Sequence, residues 1–265
     1  MDGEALLTCL SPSRGTGNEV NEVNEVNEVN EVPDNPVRHS CDIAGKQLSS
    51  TARIIAVWRK TLETEILDVA PIDLIHGLSR NFFKKGMGDF VPAEWEAQTF
   101  DMEFHWVSKN GPASPSKLTS GINLVPTDSF ETCPPLDIVL IGASTMNHTA
   151  DEAELAFIRK AWEECSAFLT ICGGVVIPLQ AGILKGKTAT GPVAILDILR
   201  KQAPDTEWVS KRWVRDGKLW TSGALLNGED MMTNFVKHYW GGTYVDFLSK
   251  LGAWPDRDVD YKGVV

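Results

Sequence analysis

This sequence predicts an α/β fold, a mainly parallel central sheet with helices on both faces. Three observations predict it. Leu136-Asp137-Ile138-Val139-Leu140-Ile141-Gly142 is a nearly continuous apolar run, the pattern of a strand buried on both sides. Ala167-Phe168-Leu169-Thr170-Ile171 is a second such run, followed at once by Cys172-Gly173-Gly174. Strand-like runs alternate with helix-like segments from residue 51 onward, which is the order that builds a parallel sheet.

Each element has a local reason. Ala52 to Trp58 is a first buried strand. Ile72 to about Phe83, after Pro71, predicts a helix. Phe100 to Val107 alternates like a strand, and Ile122 to Pro126 predicts a short one. Thr149-Ala150-Asp151-Glu152 has capping-box spacing and opens a helix to about Ser166. A helix after Cys172 ends at Gly182, with Lys185-Gly186-Lys187 in the turn beyond. Ala194 to Lys201 is helical. Trp208 to Val214 and Leu219 to Thr221 are strands around a turn at Asp216-Gly217. Asn227 to Trp240 and Thr243 to Leu251 close the chain as helices.

Residues 18–32 are five tandem Asn-Glu-Val triplets. A period of three buries no face of a helix or a strand. Residues 1–50 carry nine acids against three bases and contain Gly15, Gly17, Pro33 and Pro36, so they read as a disordered acidic tail. Residues 51–265 read as a single α/β domain. The formal net charge of −11 argues against nucleic acid or an anionic membrane as partner. The five cysteines (Cys9, Cys41, Cys133, Cys165 and Cys172) are odd in number and widely spaced, with no CxxC pair. With no signal-peptide pattern and no apolar run near ~18 residues, a soluble cytoplasmic setting is the expectation. No histidine pair has ligand-like spacing, so no metal is expected.

The candidate chemistry centres on Cys172. A sharp strand-to-helix turn lifts its residue clear of the sheet, and the following helix aims N–H groups at it. Such an environment favours thiolate and nucleophilic attack. The same segment also fits a packing cysteine after an ordinary turn. Gly142-Ala143-Ser144 ends the neighbouring strand. Free N–H groups of Gly142 or Ala143, with that of Gly173, would form an oxyanion hole; the alternative is a plain turn. Asp68, in Ile66-Leu67-Asp68-Val69-Ala70-Pro71, falls at the same sheet edge. Buried there it is a proton carrier with a raised pKa; otherwise it caps the next helix. Glu65 is the alternative acid. His148 follows the Gly142 turn, either near the site or as a solvated loop residue. Cys165 and the tryptophans Trp58, Trp106, Trp162, Trp213, Trp220 and Trp240 read as packing.

The order of these pieces resembles the ThiJ/PfpI superfamily, a flavodoxin-like, class I glutamine-amidotransferase-like sandwich, over roughly residues 52–250. Besides the segments above, Ala181-Gly182-Ile183-Leu184-Lys185-Gly186-Lys187-Thr188-Ala189-Thr190 and Lys218-Leu219-Trp220-Thr221-Ser222-Gly223-Ala224 carry the likeness. It is greatest to the isonitrile hydratase branch, in which a Leu-Asp pair supplies the acid. The resemblance implies a cofactor-free, cysteine-dependent hydration of an isonitrile, a small-molecule substrate, to an N-substituted formamide. Cys172 would be the nucleophile and Asp68 the proton carrier, and the enzyme would be a homodimer. Three departures stand out. Gly173 follows the cysteine where a hydroxyl residue often does, a glycine before Pro71 is missing, and Gly191-Pro192 replaces a histidine. Two other readings stay open. One is a glyoxalase or deglycase acting on small reactive carbonyls. The other is a non-catalytic redox-sensing or interaction protein.

Overall fold

Ile138–Ile141, Ala167–Thr170 and Leu219–Ser222 are buried on both faces, so they lie inside a sheet, here one of seven strands. The strands are β1 (Thr51–Val57), β2 (Asp101–Ser108), β3 (Asp128–Ser129), β4 (Ile138–Ile141), β5 (Ala167–Thr170), β6 (Trp213–Asp216) and β7 (Leu219–Ser222). Their order is β6-β7-β5-β4-β1-β2-β3. Every neighbouring pair is parallel except β6 with β7. The computed structural model describes residues 42–43, 46–47, 51–57, 64–88, 90–143 and 147–262. The triplet repeat, Trp58 and Ser144 lie outside the described residues.

Alternation along the strands divides the core in two. Ile138, Leu140, Ala167, Leu169 and Trp220 face one cluster, covered by helices α1 (Ile72–Gly77), α5 (Leu226–Trp240) and α6 (Thr243–Leu251). Val139, Ile141, Phe168 and Leu219 face the other, covered by α2 (Glu152–Glu164), α3 (Val176–Gln180) and α4 (Leu196–Gln202). Leu140 is 1% exposed and Phe168 0%. Burying a side chain of that size stabilises the fold by roughly 1.5–3 kcal/mol. Among the described residues no helix is long and apolar enough to cross a membrane.

Three local expectations are corrected. The helix expected over residues 72–83 stops at Gly77. Ser79 turns to extended backbone and bridges Phe100, with Phe100 N–H donating to Leu78 and Arg80 N–H to Phe100. Two hydrogen bonds to the sheet margin replace one helical turn. A short helix then restarts at Arg80–Phe82 with Ser79 as its cap. The cap of α2 is Asp151, whose side chain accepts the Glu154 N–H at 3.0 Å, and not Thr149. Residues 208–214 do not form one strand. Trp208 joins a two-residue parallel pair with Thr188–Ala189, while Trp213 begins β6.

Candidate active site

The elbow is formed by backbone alone. Cys172 has φ 56°, a left-handed conformation rare outside glycine. Its N–H donates to Gly223 at the end of β7, and the Ile171 N–H donates to Ile141 of β4. Gly174 is required by contact: a Cβ there would stand 2.3 Å from the Ile141 carbonyl oxygen. The strained cysteine is therefore clamped between the ends of two neighbouring strands. Strain of this kind costs about 1–3 kcal/mol and is held by its surroundings.

Asp68 sits in a 3-10 turn, Ile66–Asp68, and is fully buried. Its Oδ2 accepts the Glu65 N–H at 3.1 Å, while Oδ1 has no hydrogen-bond partner. Burial pushes its pKa up to about 7. The Glu65 N–H and Ala143 N–H oppose the rise, and the Glu65 charge adds to it. Asp68 does not cap α1, whose N-cap is Pro71. Gly142 lets the β4 turn lie against Asp68, since a Cβ there would be 3.0 Å from the Asp68 Cβ. Thr64 Oγ1 donates to the Ala143 carbonyl at 2.5 Å and fixes the same turn.

Burial also pushes the Cys172 thiol up, to about 11, with the charges of Asp68 and Glu65 adding to the rise. The N–H groups of Gly173 and Leu225 oppose it and do not win. The resting thiolate expected from the sequence is thus not favoured. The physical reason is length: Cys172–Val175 is one 3-10 turn and α3 adds five residues, too little helix to offset burial beside a carboxylate. Ala143 N–H points to the Asp68 carboxylate and Gly173 N–H to the sulfur.

The structure thus brings Cys172, Asp68, Gly142, Ala143 and Gly173 together. Glu65 is exposed at the rim. His148 instead pairs with Glu154 at 2.9 Å and lines a cavity of about 450 Å³ that includes neither Cys172 nor Asp68. Cys165 is buried in the core. Among the described residues no group of three or more His, Cys, Asp or Glu is placed to hold a metal.

Two features escaped the sequence reading. Leu225, whose N–H acts on Cys172, has φ 48°. Nothing in its side chain announces that conformation. Glu229 is a second buried carboxyl, 5% exposed, with Oε2 unpartnered. It had a signal: Glu229, Met232, Val236 and Trp240 share the i, i+3, i+7, i+11 spacing of the buried helix face.

Fold and site together define a class: a parallel α/β protein with a cysteine on a strand-to-helix elbow and a carboxyl buried beside it. The chain belongs to the DJ-1/PfpI family, whose sequence pattern matches residues 89–238, more than half its length. That span contains Cys172 but not Asp68. The chain is 33% identical over 143 residues to the isonitrile hydratase of Pseudomonas putida. The match covers 53% of this chain and 61% of the relative, less than two thirds of the relative's own length. A ThiJ/PfpI family protein from Pseudomonas syringae superposes with a TM-score of 0.63 at 20% identity, over 82% of this chain and 80% of the other. Drosophila melanogaster DJ-1beta gives 0.59 at 14% identity, over 77% and 99%. Those two likenesses establish the fold.

Proposed function

We propose that this protein hydrates an isonitrile to an N-substituted formamide, with Cys172 as nucleophile and Asp68 as proton carrier. The observation that carries this reading is a strained, half-buried thiol next to a fully buried carboxyl whose pKa lies near 7. The relative named an isonitrile hydratase supports it.

A pKa near 7 lets one carboxyl serve as base and then acid at neutral pH. Asp68 as carboxylate takes the thiol proton while sulfur attacks the terminal isonitrile carbon. The proton transfer is self-assisting, because protonating Asp68 removes the negative charge that held the thiol up. The N–H groups of Gly173 and Leu225 hold the sulfur as its charge develops. Asp68 then delivers the proton to the former isonitrile carbon, giving a thioimidate. Water adds to that carbon, the C–S bond breaks, the nitrogen gains a proton, and formamide leaves with the thiol restored. Substrate and water together equal product, so no redox partner is needed. Ile66, Leu67 and Leu226, exposed on the segments that carry Asp68 and follow Leu225, suit an uncharged apolar substituent.

A redox-sensing role has less support, because oxidation follows thiolate character and this thiol is held protonated. The test is formamide production from a simple aromatic isonitrile. Wild type should form product, and Cys172→Ser should form none. Product from both, or from neither, defeats the proposal.

A further inference from the structure

Asp68 is not alone beneath the elbow. Helix α5 packs against the 3-10 turn that carries it. The same helix packs against the residue before the nucleophile, since a Cβ at Gly228 would stand 2.8 Å from Ile171 Cγ2. Glu229, next in the chain, is buried and keeps one oxygen, Oε2, without a hydrogen-bond partner. Asp68 keeps Oδ1 likewise. Two buried carboxyls on touching elements, each with an unpartnered oxygen, are poor hosts for two negative charges.

We propose that Asp68 and Glu229 form a coupled carboxyl pair beneath Cys172 that carries a single negative charge at neutral pH, with Glu229 the positioning residue that sets how Asp68 meets the substrate. The coupling needs no substrate; its catalytic consequence rests on the hydratase reading.

The surrounding charges agree with this. Burial pushes Glu229 up to about 7, its own N–H opposes, the charges of Asp230 and Asp68 add, and Arg257 opposes. Arg257 is held by Asp230, with Nη2 2.5 Å from Oδ2, so it gives Glu229 no direct partner. Among the described residues, the charged groups on the other elements packed against α5 are exposed or paired elsewhere. His76 of α1 lies between Phe82 and Phe104. Asp73 of α1, and Asp246 and Lys250 of α6, are exposed. Arg215 of β6 bonds His238 and Tyr239 toward the far end of α5. Strand β7 carries no ionisable side chain. In such a pair one carboxyl ionises first and raises the other. A thiol proton accepted by Asp68 then relieves Glu229 as well as the sulfur.

The test is an infrared titration of the resting full-length protein, which needs no substrate. Ordinary carboxyls are ionised above about pH 6, so protonated-carboxyl absorbance persisting there reports Asp68 and Glu229. Wild type should lose it in two steps. Glu229→Gln and Asp68→Asn should each leave one step, about 1 pH unit below the upper wild-type step. Should either variant fail to fold, the other reads the same coupling from the opposite side. A remaining step in either folded variant that stays at the upper wild-type position overturns the pair. Formamide production then reads the consequence: in Glu229→Gln the acid limb should move down by about 1 pH unit. Shifted infrared steps without formamide from wild type would leave the pair standing and remove the hydratase. Formamide from wild type with unshifted steps would do the reverse.

Discussion

Glu229 and Asp230 are neighbours on one helix, yet they lie in opposite electrostatic settings. Asp230 is fully buried and clasped: its carboxylate accepts from the Arg257 backbone N–H at 2.9 Å and from Nε and Nη2 at 3.0 and 2.5 Å. Glu229 is also buried, on the helix that packs against the turn carrying Asp68, and keeps an oxygen unpartnered. Burial alone therefore does not decide what a carboxyl does in this protein. The clasp stabilises a charge and ties the C-terminal segment to α5. Glu229 has no such clasp, and an unclasped buried carboxylate costs stability.

The largest effect should come from opening the clasp. Arg257→Leu leaves Asp230 buried without its counter-ion and should destabilise the fold by about 3–5 kcal/mol, read by urea unfolding at neutral pH.

Neutralising Asp68 should act in the opposite direction. A carboxyl whose folded pKa is raised binds more protons folded than unfolded between its two pKa values, so stability falls as pH rises through that window. For Asp68 the window runs from the ordinary aspartate value of 3.8 to about 7. Asp68→Asn should therefore be more stable than wild type at pH 8, by on the order of 2 kcal/mol, and nearly equal to it at pH 4. Thermal melts at both pH values check this. Equal stability at pH 8 would mean that the carboxylate is better solvated than its burial indicates.

The smallest effect belongs to the outer support of the clasp. Asn234 Nδ2 donates to the Asp230 carbonyl and to Asp256 Oδ1, at 2.9 and 3.0 Å. Asn234→Ala should cost about 1 kcal/mol, without moving the pH dependence of either carboxyl. A change in that dependence would show that the clasp and the unclasped carboxyls are not separate.

Much of the framework was legible in the sequence, and the reasons are particular. The runs at Leu136–Gly142 and Ala167–Ile171 are apolar on both faces, so they had to be central strands, and β4 and β5 lie side by side. Cys172 at the end of one run, and Asp68 in the preceding sheet-edge loop, followed from that placement. What the residues hid was set by distant partners. The break at Ser79 depends on Phe100, 21 residues on. Leu225 takes its positive φ without a glycine to announce it. The thiol's protonation depends on the balance between burial, two carboxylates and two N–H groups, which no local pattern reveals. Glu229 was visible by helical spacing, but only when an acid on the buried stripe is treated as a question about chemistry.

The two margins of the sheet finish differently. At one, β6 pairs antiparallel with β7 on its inner side and packs against α5. At the other, β3 covers only Val107 and Ser108 of the eight-residue β2. Among the described residues, no strand pairs with the outer side of Asp101–His105, and the exposed side chains there include Asp101 and Glu103. Asp101 there pairs with Arg80 at 3.1 Å, and Glu103 lies 3.9 Å from His105. Charged side chains along such an open margin guard against open-ended strand addition.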